Sequence, residues 1–275
     1  MSGDSDHSTS WWQTVSTSMN VERSARGFMT LRLVQAYDPS RRSAARSVEA
    51  GASFAQAGLA LTGSLGASVL RPTSGEERST LTGRAIVSGA LGTRTRARVE
   101  YAHFPFDETA RLIDTGLDVQ LASADADIGL PLGITMSAGG SMLWLTDGND
   151  RGAAFAALSR TTGPVMVGAY ARGLGWAERS PDYYSPDRFT VIEARTRLTA
   201  RVKRWESQLG AGIGAQQVDP SAATQTEWHI EARLARAWSD AGRIELFGGA
   251  TNSAEVSYAG AYRSYNAGLS VLFSL

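Results

Sequence analysis

Apolar and polar side chains alternate along most of this chain with a period of two. At the C-terminal end Tyr265, Ala267, Leu269, Val271, Phe273 and Leu275 take every second position, with Ser264, Asn266, Gly268, Ser270 and Ser274 between them. Successive side chains of a strand point to opposite faces, so this run predicts a strand with one apolar face and one small or polar face. The period recurs upstream. Leu59, Leu61, Leu65, Ala67 and Val69 alternate with Thr62, Ser64, Gly66 and Ser68, and Thr95, Ala97, Val99 and Tyr101 alternate with Arg94, Arg96, Arg98 and Glu100. Ile192, Ala194, Thr196, Leu198, Ala200 and Val202 stand opposite Glu193, Arg195, Arg197 and Arg201, and Trp228, Ile230, Ala232, Leu234 and Trp238 opposite Glu231 and Arg233. A helix would repeat near 3.6 instead. The row Ile113, Thr115, Leu117, Val119 and Leu121 reads as one more strand. Ala153 to Arg160 and Val165 to Ala177 are less clean, because Phe155, Tyr170, Leu174 and Trp176 blur the two faces.

The connections alternate in length. Back from the C-terminus, NSAEVSYAGA is long, SDAG short, DPSAAT long, KR short, ERSPDYYSP long and TTGP short. Short turns on one side and long loops on the other are the habit of an outer-membrane barrel, the short side being periplasmic. The expected fold is all-β: an antiparallel up-and-down transmembrane β-barrel of about 16 strands, roughly 14 to 16, forming one domain over residues 1–275. Arg, Glu and Asp on the polar rows fit a wet lumen better than the packed interior of a soluble barrel. Trp228 and Trp238, on one apolar face, stand about as far apart as a membrane strand of about 9–11 residues is tall. With Trp205 they are candidates for an interfacial girdle. A soluble all-β protein would need several strands buried on both faces, and few qualify.

Composition narrows this further. No window approaches eighteen apolar residues, which excludes a helical span but not a barrel, whose polar half dilutes its apolar half. The 27 basic and 27 acidic residues cancel, so nothing points to nucleic acid. There is no cysteine for disulfides or thiolate metal sites. The start, MSGDSDHSTSWW, carries no secretory signal. About fifteen strand segments are read where closed single-chain barrels normally have an even number. Either a segment between Arg111 and Leu130 is miscounted, or a first strand is missing.

TDGNDR (146–151), DYYSPDRF (182–189), FPFDETARLIDTGLD (104–118) and GDSDH near the start together resemble a known family. It is the outer-membrane barrel that follows periplasmic tetratricopeptide repeats in bacterial exopolysaccharide exporters, a family including the poly-N-acetylglucosamine porin and the outer-membrane component of cellulose synthase. The resemblance implies a sixteen-strand, porin-like conduit in the bacterial outer membrane, through which a polysaccharide or small solute leaves the cell. It also implies outer-membrane lipid, the barrel assembly machinery and an upstream periplasmic repeat domain as partners. No repeat of about 34 residues is present in the chain. The terminal residue, where the family usually has an aromatic, is Leu275, so Tyr265, Leu269, Val271, Phe273 and Leu275 together are the candidate assembly signal.

Arg94, Arg96, Arg98, Glu100, Glu193, Arg195, Arg197, Arg201, Glu231 and Arg233 are the candidate pore-lining residues. They would either attract anions or pair with one another across the wall. Paired throughout, they would plug the lumen and leave an anchor or binding platform. Tyr183, Tyr184 and Phe189, around Pro186, could stack on sugar rings or pack over the rim. The chain is not expected to be an enzyme and needs no cofactor. His7, His103 and His229 are scattered, without HExxH or GxSxG, and no metal site is assigned. A hydrolase centred on His103 is the minor alternative.

Overall fold

The computed structural model describes residues 2–4, 8–22, 24–239, 242–253 and 263–273. It is a single antiparallel sheet in which every strand pairs with its sequence neighbour. The full-length strands are β2 (Thr9–Glu22), β3 (Ala25–Asp38), β4 (Arg41–Gln56), β5 (Leu59–Arg71), β6 (Arg78–Ala90) and β7 (Thr95–Pro105). They continue as β8 (Asp118–Gly129), β9 (Ile134–Leu145), β10 (Asp150–Thr162), β11 (Val165–Trp176) and β12 (Phe189–Val202). β13 (Trp205–Val218), β14 (Gln225–Ser239), β15 (Gly242–Thr251) and β16 (Ser264–Phe273) complete the series.

The period-two rows hold because register follows pleat: Glu193 pairs with Gly214 and Gly214 with Glu227, so one polar face runs unbroken across β12, β13 and β14. Leu65 and Leu81, 77% and 80% exposed, show how bare the other face is. An exposed apolar band this continuous is costly in water. Trp228, Trp238 and Trp205 lie on this outer face, with the Arg236 guanidinium over the Trp205 ring. At the tight end the strands turn on two to four residues: Ala57 and Gly58, with φ of 50° and 83°, make the primed hairpin turn that suits strand twist.

The closed transmembrane barrel of full-length strands is not what forms. Fifteen long strands, β2 to β16, make the wall, and the ring closes without any direct pairing of β2 with β16. They are bridged only by β1 (Ser2–Asp4), whose Ser2, Gly3 and Asp4 pair with Asn266, Tyr265 and Ser264, while Ser2 and Gly3 pair with Ser10 and Thr9. Among the described residues, three with strand geometry stand between β2 and β16, against fourteen in β2 and ten in β16.

The stretch 111–130 also differs from expectation. Ala110–Thr115 is a helix, α1, because Thr109 caps it by accepting from the Leu112 N–H at 3.2 Å and Gly116 ends it at φ 65°. Ile113 is therefore helical. Val119 belongs to the inner face, buried with Leu143 and Leu145. Leu132 stands in the turn Pro131–Gly133 that precedes β9.

Two buried clusters occupy the inner side at the long-loop end. α1 sets Ala110 and Ile113 against Val34, Ala36, Ala45 and Leu70 of β3 to β5. Leu112, Phe106 and Tyr183 pack with Val119, Leu143, Leu174, Trp176 and Phe189. This explains the blurred faces of β10 and β11. Leu174 and Trp176 are inner residues that are apolar because loops pack on them, and Phe155 stacks on Tyr170 at 6.1 Å.

Candidate functional site: the polar inner face

The loop 106–117 reaches from β7 and β8 to the inner side of β2 to β5. Asp107 binds Arg32 at 2.6 Å, Ser10 Oγ donates to the Glu108 carbonyl at 2.5 Å, and Ser43 donates to Asp114. Arg111 donates to the Pro181 carbonyl, joining this loop to 177–188. A porin-like conduit needs a wall closed by full-length pairing and a bore clear of chain. Here the long strands are joined through β1 alone and both loops pack on the inner side at the long-loop end, which departs from the open porin-like conduit expected from the sequence. Glu108 keeps contact with solvent while surrounding groups crowd it. Desolvation pushes its carboxyl up to about 7, the Asp107 charge adds to this, and Arg32 and Arg151 oppose it.

The TDGND segment is structural in this arrangement. Asp147 Oδ1 accepts from the Asn149 N–H at 3.0 Å, closing the turn over Gly148. Asn149 Nδ2 donates to the Tyr183 hydroxyl at 2.7 Å, and that hydroxyl donates to Asp147 Oδ2 at 2.9 Å. Burial is the main reason the Tyr183 phenol is pushed up to about 12. Tyr183 and Phe189, 4% and 0% exposed, are packed inside the loop cluster, with Tyr184 partly buried against it. Outside, Arg179 clamps Asp187 through two bonds of 3.0 and 2.9 Å, which hold its carboxyl below the usual range.

Below the loops the inner wall is a mosaic of paired charges. Glu100 takes Arg84 at 2.7 Å and Arg98 at 2.5 Å, and Arg197 meets Glu231 at 3.1 Å. Arg201 meets Glu206 at 3.1 Å, Arg233 meets Glu245 at 2.5 Å, and Arg195 binds Glu193. Arg96 shares the inner face of β7, paired in register with Asp127, whereas Arg94 lies in the turn before that strand. His103 stands at the far end of β7, paired in register with Gly83 and Gln120. Tyr265, Leu269 and Val271 project from the outer face of β16. Phe273 is its last residue, and Leu275 lies outside the described residues.

The structure also assembles a group that residue spacing alone does not reveal. Glu193 of β12 and Glu227 and His229 of β14 converge beside a recess of about 470 Å³. They meet across β13 because Gly212 and Gly214 carry no side chain there. A Cβ on Gly212 would collide with His229 Cε1 and stand 2.7 Å from Glu193 Oε2, and one on Gly214 would stand 2.6 Å from Glu193 Cβ. Arg195 is drawn aside, its guanidinium 3.4 Å over the Tyr170 ring. The sequence signal was present as Glu227-x-His229 on one strand face, but Glu193 is two strands away and only the register supplies it.

No protein-family model matches the chain, and no curated protein sequence does. Its fold is similar to that of a solved structure described as a bacterial polysaccharide outer membrane secretin, with a TM-score of 0.77 and 15% identity, covering 100% of this chain and 96% of that one. It is also similar to CdiB from Acinetobacter baumannii, with a TM-score of 0.51 and 10% identity, covering 96% of this chain and 59% of that one. At these identities the likeness is one of fold, and the chain has the architecture of outer-membrane β-sheet proteins.

Proposed function

We propose that this chain is an outer-membrane component of polysaccharide secretion that engages a sugar chain on its polar inner face. The observation that carries this reading is the inner wall itself. Arg197 and Glu231, 44% and 51% exposed at their side chains, and Arg233 offer charged hydrogen-bonding groups of both signs in one recess. The similar fold of a protein described as a polysaccharide secretin supports this choice over a small solute.

In this reading the apolar outer face meets lipid, the short turns face the periplasm, and β16 presents the signal taken up by the assembly machinery. A periplasmic repeat domain delivers the polymer, as in the exporters that the loop motifs resemble. The chain binds sugar and transforms nothing, and the loops 106–117 and 177–188 cover the outward end. The test is calorimetric titration of the refolded protein in detergent with amine-bearing, neutral and acidic oligosaccharides. At least one class binds, and Arg197→Ala weakens it by about tenfold to a hundredfold, as loss of a charged hydrogen bond of about 1.5–3 kcal/mol requires. Absence of binding by all three classes refutes the reading.

A further inference from the structure

We propose that Glu193, Glu227 and His229 form a binding site for a divalent metal ion of the zinc type on the inner wall. Their ligand atoms all lie within 4.8 Å of one another. His229 Nδ1 stands 3.0 Å from Glu193 Oε2 and 3.5 Å from Glu227 Oε1. Two ligands each about 2.0–2.1 Å from a tetrahedral zinc ion stand about 3.3–3.4 Å apart, so the pair of distances brackets what such an ion needs. One imidazole and two carboxylates are a donor set that zinc accepts, and three protein ligands leave a fourth position toward the recess.

Burial is the independent observation. Glu193 and Glu227 are 4% and 2% exposed, deep enough that an uncompensated carboxylate is expensive. Glu193 Oε2, despite its nearness to the ring, and Glu227 Oε2 find no hydrogen bond of acceptable geometry among the described residues. Arg195 compensates only the other side of Glu193, through Oε1. Two buried carboxylates therefore converge on one imidazole, Glu193 through its unpartnered Oε2 and Glu227 through Oε1, with the Arg195 guanidinium on the other side of Glu193. A divalent ion there would compensate both charges. Gly212 and Gly214 supply the room, since a Cβ on either would enter the cluster.

The experiment uses the full chain refolded in detergent, stripped with EDTA and titrated with Zn²⁺, bound metal being counted by mass spectrometry after desalting. One Zn²⁺ per chain is expected, with a rise in unfolding temperature on binding. Glu227→Gln and His229→Ala should each weaken binding more than about tenfold, the lower end of what disturbing even an outer-shell partner costs. Gly212→Ala should do the same by filling the space. Glu227→Gln removes a buried charge and keeps the shape, so its circular dichroism should match that of the parent and its unfolding temperature should no longer respond to Zn²⁺. The proposal is overturned if the parent binds no Zn²⁺ at micromolar concentration, which would leave a proton shared between the two carboxyls as the resident cation. It is equally overturned if Glu227→Gln and His229→Ala bind as the parent does, or if Mg²⁺ or Ca²⁺ is bound in preference.

Discussion

Leu65 offers the sharpest test of what surrounds the outer face. It lies midway along β5, six residues from Leu59 and six from Arg71, and is 77% exposed. Its register partners on the outer face are Ala50 and Gly83, so an arginine placed there finds no acceptor beside it. Six residues at about 3.4 Å each carry the backbone about 20 Å to either strand end, or about 14 Å along the membrane normal at a tilt of about 45°. That is too far for the side chain to bring its charge fully to the interface by snorkelling. In a bilayer, Leu65→Arg should therefore cost about 2–4 kcal/mol, the range for a cation at the midplane of a barrel's lipid face. In water the same change at an exposed position should stay within about 0.5 kcal/mol. Urea unfolding in phospholipid vesicles, followed by tryptophan fluorescence, measures the difference, with Leu65→Ala as the control for lost apolar area. An unchanged midpoint for Leu65→Arg would refute a lipid-facing outer wall.

Two further outcomes concern the long-loop end. The Glu108 carboxyl, raised to about 7 from an ordinary 4.5, binds more protons in the folded than in the unfolded chain between those values. The stability that this carboxyl contributes is therefore fully present below about 4.5, is lost as pH rises through about 7, and should be absent in Glu108→Gln. Hydrogen exchange of α1 across a pH series reads this, and equal slopes in both proteins would contradict it. Phe189→Ala empties a fully buried site between the 177–188 loop and β11 and should cost about 3–5 kcal/mol locally. Rapid protease cleavage within 177–188, with the strands still resistant, is the expected result.

Much of the architecture was legible in the residues. A period of two needs no tertiary information, because the pleat alone sends Leu65 and Ser64, or Ile192 and Glu193, to opposite faces. The alternation of long and short connections likewise separates the two ends. The reading failed where apolar residues served a different surface: Val119, Leu174 and Trp176 are inner residues, apolar because loops cover them, and Ile113 is helical because Thr109 and Gly116 cap a single turn and a half. Periodicity cannot distinguish lipid from a plug, since both reward the same side chains.

The sequence by itself thus determined the strands, their two faces and the charge mosaic of the inner one, all of which follow from local geometry and side-chain chemistry. Only the tertiary structure decided what long-range register controls. It left β2 and β16 to be bridged by the three residues of β1, folded 106–117 onto the inner side of β2 to β5, and buried Tyr183 and Phe189 instead of presenting them to solvent. It also drew Glu193 to Glu227 and His229 over two glycines of an intervening strand. Such meetings depend on which residues stand opposite one another two strands apart, and no local pattern carries that count.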